Sequence, residues 1–369
     1  MKRLLVVIGL LFSYHALAQP KECYMLVGTY TSDIHLYKFN FVLGTATPVS
    51  KISGLNNPSY LCVSSNGKYV YAVNEAAGSN GEVNAIAFNK TKGELKFINK
   101  VSSNGEAPCF VDIDSTGKWV SVANYSSGTL SIMKTNADGS LNESLQTIEH
   151  QGYGANVVRQ SKPHVHCTIF SPDQKYLFST DLGTDKIYQY PFNLTNEKPL
   201  NEENVTTTDI ADGSGPRHIT FHPNKKFVYL INELKGDVVA YSYNNEKLTE
   251  LQTIESDNTK SKEDKGSADI HITPNGQYLY TTNRGKANDI TIYGVQSDGK
   301  LRLIGHQSTN GIHPRNFAID PTGKYLLVAN RDSNNIVVFT IIKSTGFLEA
   351  NGQVIHVEKP VCIKMTDLK

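Results

Sequence analysis

A six-fold repeat constrains this chain more than any other feature of its sequence. Each copy has a small or turn residue, a Lys or Gln, an aromatic residue, a run of alternating residues and a final Asn or Asp. The copies end at Asn74, Asn124, Asp181, Asn232, Asn283 and Asn330, about 51 residues apart on average. If a short leader is left out, the length of the chain divided by this spacing gives about seven units.

The pattern inside each unit predicts four short strands. A first strand begins at a proline, as at Pro58 and Pro108, where the missing N–H is tolerated. An Asn-Gly or Thr-Gly turn then reverses the chain into a second strand. A third strand follows, as in residues 128–132, and a fourth begins after a Gly-x-Leu signal, as in residues 93–95. Four antiparallel strands at this period predict an all-β, seven-bladed β-propeller. An open β-solenoid or a pair of β-sandwiches would not explain so regular a pattern.

The seventh blade is expected to be shared between the two ends of the chain. Residues 360–363 resemble an opening strand that has no successor, whereas residues 26–30 and 34–39 match the second and third strands of a blade. Pairing them closes the ring and removes two exposed sheet edges. In this register Cys23 falls near Thr366 rather than Cys362, so no disulfide is expected to close the ring. The five cysteines include no Cys-x-x-Cys pair and are interpreted as structural thiols.

The first eighteen residues predict a signal peptide. Lys2 and Arg3 precede a short apolar run over residues 4–12, and residues 16–18 form an Ala-Leu-Ala cleavage site. The run is too short to span a bilayer, and no Cys follows the cleavage site to carry a lipid. The sequence therefore predicts an exported, soluble protein, periplasmic or secreted, whose propeller occupies residues 19–369. A buried N-terminal strand is the alternative.

The charge balance limits the class of partner. Lys and Arg number 36 and Asp and Glu 35, which leaves a formal net charge of +1. Such a balance argues against nucleic acid as a partner. We expect a small-molecule ligand and no stable membrane insertion, and the sequence does not indicate an oligomeric state.

Hairpin geometry places two sets of residues at one mouth of the ring. The first strand of each blade enters just after its proline and the second strand returns to the Asn or Asp, so both positions lie at the same end of every blade. The residues at the strand entry are Ser59, Cys109, His166, Arg217, Ala268, Arg315 and Val361. Together with residues at and after the second strands, they predict a mouth lined by His166, Arg217, Arg284, Arg315, Arg331, Glu75, Glu233 and Asp181.

The recurrent Asn residues and the irregular charged residues have different interpretations. The Asn residues recur, which favours a structural role in tying blade corners through hydrogen bonds to the backbone. The Arg and Glu residues interrupt the repeat in only some blades, which favours a ligand site, with surface salt bridges as the alternative.

Established catalytic motifs give no better explanation of this mouth. The sequence contains no Gly-x-Ser-x-Gly, no His-Glu-x-x-His and no P-loop. His164 and His166 lie two apart on one strand face, as a metal pair would, but no nearby carboxylate is in register with them. We therefore expect neither a metal nor a cofactor.

Ordered motifs give the chain a resemblance to a known family. These are Asn57-Pro58-Ser59-Tyr60, Tyr71-Ala72-Val73-Asn74-Glu75, Pro163-His164-Val165-His166, Gly215-Pro216-Arg217-His218, Asn232-Glu233-Leu234 and His313-Pro314-Arg315. Over essentially the whole mature chain, it resembles the lactonase family of seven-bladed propellers, which includes 6-phosphogluconolactonase of the cycloisomerase-2 type and carboxy-muconate cyclases. The resemblance implies that His166, Arg217, Glu233 and Arg284 act in catalysis.

The resemblance also implies hydrolysis of a sugar lactone. Water attack on a lactone carbonyl needs a base, for which His166 and Glu233 are both candidates, and positive charge where the oxyanion develops, which Arg217 and Arg284 would supply. Arg315, Glu75, Asp181, His164 and Arg331 are expected to bind substrate. A lactone-forming cyclase of the muconate type and a non-catalytic, ligand-binding or protein-binding propeller remain alternatives.

Overall fold

Seven four-stranded antiparallel sheets account for nearly all the regular structure of the chain. The computed structural model describes residues 21–76, 78, 80–244 and 246–368, and the predicted signal peptide lies outside them. Within these residues there is one short 3-10 helix, Lys262–Asp264, and no helix is long and apolar enough to cross a bilayer. The predicted all-β, seven-bladed propeller with four strands per blade is confirmed.

The strands follow one another in chain order. Strands β1–β3 are Glu22–Thr29, Ile34–Asn40 and Thr45–Ile52; β4–β7 are Leu61–Val63, Tyr69–Asn74, Asn80–Asn89 and Glu94–Glu106; β8–β11 are Pro108–Ile113, Trp119–Asn124, Thr129–Thr135 and Leu141–Glu149. Strands β12–β15 are Val165–Phe170, Tyr176–Asp181, Lys186–Pro191 and Thr206–Asp209; β16–β19 are Pro216–Phe221, Phe227–Asn232, Asp237–Asn244 and Lys247–Glu255. Strands β20–β23 are Ser267–Ile272, Tyr278–Asn283, Asp289–Val295 and Leu301–Ser308; β24–β27 are Pro314–Ile319, Tyr325–Asn330, Asn335–Ile341 and Leu348–His356; β28 is Pro360–Asp367.

Blade 1 joins the two ends of the chain, as the sequence predicted. Strand β28 pairs antiparallel with β1, which pairs with β2 and then β3, while blades 2–7 are each made of four consecutive strands. Cys23 pairs with Asp367 and Cys362 with Gly28, so the two cysteines are well separated along the strands. All five cysteines are buried free thiols.

The position of a strand within its blade determines its hydrophobic pattern. Second strands such as β9 and β25 are buried at every residue, because they face neighbouring blades on both sides. Outer strands such as β11 alternate between buried and more exposed residues, because one face meets solvent. The apolar cores therefore lie between adjacent blades.

The recurrent Asn residues connect neighbouring blades. The Nδ2 atom of Asn124 donates to the carbonyl of Ser103 in blade 2 at 3.1 Å, and Asn330 donates to the carbonyl of Thr309 at 3.2 Å. Asn283 donates to the carbonyl of Ser256 at 3.0 Å in the same way. Each bond satisfies a carbonyl at the outer edge of the preceding blade, which confirms the structural interpretation for these residues.

Candidate active site

In six of the seven blades, the pairing of the innermost strand skips at least one residue at the end that meets the mouth. The strand register shifts between Pro108 and Phe110, Val165 and Cys167, Pro216 and His218, Ser267 and Ile270, and Pro314 and Asn316, and Val361 is skipped in the pairing of β28. The skipped residues include Cys109, His166, Arg217 and Arg315. A β-bulge of this kind changes the direction of a side chain. These four skipped residues are among the ones that counting from the turns placed at the strand entry.

Glu233 is the centre of the charged cluster at the mouth. It directly follows β17, and its carboxylate contacts three guanidinium groups. Oε2 lies 3.0 Å from Nε of Arg217 and 2.8 Å from Nη2 of Arg284, while Oε1 lies 2.6 Å from Nη2 of Arg159. Burial alone would raise the pKa of Glu233, but the arginines hold it well below its ordinary value. Glu233 is therefore an ionised group that organises positive charge, and it is a weak proton acceptor.

Two of these three arginines are also fixed by backbone carbonyls. Arg217, whose side chain is 1% exposed, donates from Nη1 to the carbonyl of Ala268. Arg284 donates from Nε to the carbonyl of Gly266 at 3.0 Å and from Nη2 to that of Ser267 at 3.1 Å. Burial and the neighbouring charge of Arg284 lower the pKa of Arg217 to about 10, so it stays protonated at neutral pH. Both groups can present fixed N–H donors to a developing negative charge.

The third arginine, Arg159, was not among the residues expected from the sequence. It lies on the loop over residues 151–163, which joins blades 3 and 4 and is called the strap below. Its Nη2 also donates to the hydroxyl of Tyr125 at 3.2 Å. Because the strap falls outside the repeat, counting along the repeat could not have placed Arg159 at the mouth.

His166 is buried beside this cluster. Its Nδ1 lies 3.8 Å from Sγ of Cys109, and among the described residues no other hydrogen-bond partner of the ring is found. Burial and the charge of Arg217 lower its pKa well below 6.5, with Glu233 opposing the shift. At neutral pH the ring is therefore uncharged and keeps a lone pair for a proton.

A second charged group lies across the mouth from Glu233. Glu75 accepts hydrogen bonds from the hydroxyls of Tyr30, at 2.8 Å, and Ser59. Nη2 of Arg315 lies 3.5 Å from Oε1 of Glu75, and its guanidinium lies over the Tyr30 ring, 5.2 Å from the centroid. Glu75 and Arg315 thus lie together near the centre of the mouth, as expected, although Tyr30 was not anticipated.

Asp181 lies outside this cluster. Its carboxylate is fully buried and accepts from His150 Nδ1 at 2.8 Å and from the backbone N–H groups of His164, at 2.7 Å, and Gly183, at 2.8 Å. It occupies the position that Asn holds in most other blades and likewise reaches the preceding blade. Asp181 therefore has a structural role instead of the expected contact with substrate, because its carboxylate oxygens already accept hydrogen bonds from these donors within the protein.

His164 and Arg331 occupy the rim of the mouth. The ring of His164 stacks on Tyr125 with centroids 4.5 Å apart, and its Nδ1 lies 2.9 Å from the carbonyl oxygen of that residue. Arg331 forms a bidentate pair with Asp332, at 2.6 and 3.0 Å, and its Nη2 lies 3.3 Å from His313 Nδ1. Neither side chain contacts Glu233 or His166.

A layer of polar side chains lies beneath His166. The His218 ring centroid is 5.2 Å from that of His166, and its Nδ1 donates to Oδ1 of Asp269 at 2.7 Å. Asp269 also accepts from Asn316 and lies 3.0 Å from His271 Nε2. Burial and Arg217 lower the pKa of His218 to about 3, so this histidine is neutral. These bonds join blades 5, 6 and 7 and support the floor of the mouth.

The mouth therefore combines a neutral imidazole with fixed guanidinium donors, and His166, Arg217 and Glu233 are all buried there. Among the described residues of the mouth, positive groups outnumber carboxylates, because the four arginines Arg159, Arg217, Arg284 and Arg315 pair with two carboxylates, Glu233 and Glu75. Such a site can bind an anionic group, stabilise an oxyanion and accept one proton.

Comparisons with known proteins agree with this architecture. Residues 24–365 match the family described as "Lactonase, 7-bladed beta-propeller". The chain is 38% identical to a protein of Formosa agariphila named 6-phosphogluconolactonase, over 80% of this chain and 86% of the relative, and 34% identical to a Bacillus subtilis protein of the same name, over 92% and 97%. The structure of a periplasmic gluconolactonase from Pseudomonas aeruginosa superposes with a TM-score of 0.88 at 31% identity, covering 94% of this chain and all of that one.

Proposed function

Because the chain belongs to the lactonase family of seven-bladed β-propellers, we propose that it hydrolyses a sugar lactone, of the 6-phosphogluconolactone type, to the sugar acid. The observation that carries the proposal is the contact of one buried carboxylate, Glu233, with fixed guanidinium groups next to the neutral ring of His166. The names of the Formosa agariphila and Bacillus subtilis relatives support the substrate class.

His166 acts as the base in this proposal. It takes a proton from water as the oxygen attacks the lactone carbonyl carbon, and it returns that proton to the ring oxygen as the carbon–oxygen bond breaks. The acid product then ionises and releases a proton to solvent. Glu233 is the weaker candidate, because both of its carboxylate oxygens already accept from guanidinium groups, whereas the ring of His166 has only the Cys109 thiol near it as a partner among the described residues.

Arg217 and Arg284 stabilise the tetrahedral oxyanion. Their positions are fixed by carbonyl oxygens of blade 6, so little reorganisation is needed when charge develops. Removal of one such donor costs about 10²–10³ in rate in other enzymes. No nucleophilic serine is needed, because water is the nucleophile.

We also propose that the protein acts outside the cytoplasm. The N-terminal residues 1–18 have the pattern of a signal peptide, and the Pseudomonas aeruginosa relative is named a periplasmic gluconolactonase. Export would separate the protein from cytoplasmic sugar phosphates, so an extracytoplasmic sugar lactone is a second substrate to test. Fractionation of cells that express the full chain, with N-terminal sequencing, should find a product that begins at Gln19.

The activity is tested with purified protein on 6-phosphogluconolactone and glucono-lactone, measured against spontaneous opening. Wild type should exceed Arg217→Ala and Glu233→Ala by at least about 10² in rate, while Arg302→Ala, an exposed control on β23, should match wild type. A wild-type rate no faster than the two site variants would reject the mechanism. Conversion of a muconate-type acid without lactone hydrolysis would instead assign the site to the cyclase alternative.

A further inference from the structure

The three arginines on Glu233 differ in how firmly they are held. Arg217 and Arg284 each bond to carbonyls of the neighbouring blade as well as to Glu233. Arg159 has two partners in the described structure, Oε1 of Glu233 and the hydroxyl of Tyr125. Its side chain is 43% exposed, against 1% for Arg217 and 11% for Arg284. Only Arg159 could leave Glu233 without abandoning a backbone carbonyl.

The strap that carries Arg159 is itself well anchored. Asp181 holds both of its ends, through His150 at the start and the N–H of His164 after its last residue. The buried side chain of Gln160 donates to the carbonyl of Leu182 at 2.8 Å and accepts from the N–H of Asn156 at 2.9 Å. Movement of Arg159 would therefore involve its side chain, while the backbone of the strap stays in place.

An open groove lies next to Arg159. It has a volume of about 620 Å³ and is lined by the strap, by Gly213 and Leu234, by three lysines, Lys235, Lys262 and Lys265, and by two acidic residues, Asp212 and Glu263. Arg159 lines this groove and also contacts Glu233, so its side chain lies between the groove and the charged cluster. A ligand entering from this side would meet Arg159 first.

We propose that Arg159 is an exchangeable gate: it leaves Glu233 when an anionic ligand enters, and it then holds the ligand's phosphate or carboxylate at the rim. Oε1 of Glu233 is thereby freed to accept a hydrogen bond from a ligand hydroxyl. The inference rests on the proposed function and adds a residue that selects anionic ligands and positions them over the base. Guanidinium groups suit this task, because their fork matches phosphate and carboxylate.

Calorimetric binding of 6-phosphogluconate and of gluconate tests the proposal, with full-length protein in the forms wild type, Arg159→Ala, Arg159→Lys and the exposed control Arg302→Ala. A charge-assisted contact of this kind predicts a loss of about 10- to 100-fold in affinity for 6-phosphogluconate in Arg159→Ala. Arg159→Lys should lose less affinity than Arg159→Ala, and Arg302→Ala should bind as tightly as wild type. Because Arg159 is half exposed, its substitution should leave the melting temperature unchanged. Equal melting temperatures would show that the variants are folded.

Kinetic and structural readouts separate a gate from a merely structural role. In Arg159→Ala, KM for 6-phosphogluconolactone should rise by a similar factor while kcat changes little, and KM for uncharged glucono-lactone should change much less. A crystal structure with 6-phosphogluconate should show Arg159 on the ligand and separated from Oε1 of Glu233. An Arg159–Glu233 distance that stays at 2.6 Å with ligand bound, or equal losses for charged and uncharged ligands, would overturn the proposal.

The gate and the proposed activity can fail separately. If wild type hydrolyses lactones and Arg159→Ala is as selective as wild type, the gate is wrong and the activity stands. If 6-phosphogluconate binds in an Arg159-dependent way but no lactone is hydrolysed, the activity is wrong and the gate stands. If wild type binds neither sugar acid, the gate proposal is wrong whatever the activity assay shows.

Discussion

Nε of Arg217 lies 3.0 Å from Oε2 of Glu233, and both residues occur where the regular geometry of blade 5 is interrupted. Arg217 is the bulged residue of β16 and Glu233 is the first residue after β17, so one blade supplies the pair without help from its neighbours. Blade 6 and the strap then add Arg284 and Arg159 to the same carboxylate. The charge of the mouth thus depends strongly on a single acidic group.

Replacing Glu233 by glutamine should destabilise the protein. Three guanidinium groups would be left without their shared carboxylate, and breaking a buried ion pair typically costs about 3–5 kcal/mol. Urea unfolding of Glu233→Gln and wild type measures the change in the free energy of unfolding. Glu255→Gln is the control, because Glu255 is exposed and its pair with Lys265 is worth at most about 1 kcal/mol. Equal effects of the two substitutions would contradict the central role of Glu233.

Stability should fall as the pH decreases below about 6.5. His166 and His218 are neutral in the folded protein, with pKa values below their ordinary 6.5, whereas both become protonated in the unfolded chain. The unfolded state therefore binds more protons below pH 6.5, and each histidine makes the unfolding free energy decrease by about 1.4 kcal/mol per pH unit as acid is added. For His218 this window extends down to about pH 3.

Chemical denaturation at pH 7, 6, 5 and 4 measures this slope. The depressed carboxyl pKa values of Glu233 and Asp269 add a loss of the same sign at the acid end, below their ordinary values near 4. Between pH 6 and 5 the slope reports mainly on the histidines, opposed by Asp112, whose pKa burial raises to about 6 so that it takes up its proton in the folded state first. His218→Gln should reduce the slope. A stability that is flat between pH 6.5 and 5 would contradict the neutral state of these rings.

Replacing Asp181 by alanine should disturb the strap as well as the blade. The substitution removes the acceptor for His150 and for the N–H groups of His164 and Gly183, and the loss of several buried hydrogen bonds to one charge is expected to cost about 3 kcal/mol or more. KM for 6-phosphogluconolactone should rise, because Arg159 is carried by the strap. Enzyme kinetics and thermal unfolding of the same preparation measure both effects.

Asn330→Ala is the matched control for Asp181→Ala. Asn330 occupies the equivalent position in blade 7 and donates to the carbonyl of Thr309, but it is not connected to the strap. This variant should lose stability with little change in KM. A similar rise in KM in both variants would mean that the effect comes from general loosening of the ring.

The thiols should be unreactive in the native protein. All five cysteines are buried, and burial raises the pKa of Cys23 to about 12 and that of Cys362 to about 11. Thiolates are the reactive form, so an aromatic disulfide reagent should modify no thiol of the native protein within minutes and all five in guanidinium chloride. Rapid labelling of one thiol under native conditions would show that one blade opens readily.

The repeat made the fold and much of the mouth predictable, because a fixed period combined with hairpin geometry orients every blade in the same way. It placed His166, Arg217 and Glu233 at one mouth, where the structure has them. It could not identify Arg159, whose strap follows no period. Asp181 was misjudged for a different reason: as a charged residue it was grouped with the irregular ones, although its position in the repeat is that of the structural Asn residues.

The pairing of β28 with β1 has a consequence for biosynthesis. Strand β28 completes the first sheet and follows every other strand of the propeller in the chain, so a nascent chain that lacks it leaves the edge of β1 unpaired. Tyr30 follows β1, and its backbone N–H donates to the carbonyl of Lys359 just before β28. Its hydroxyl in turn donates to Glu75, so this wall of the mouth is assembled only after β28 has been made. A chain cut short before residue 359 would therefore lack more than a strand, since the bond that holds Tyr30 beside Glu75 would also be missing.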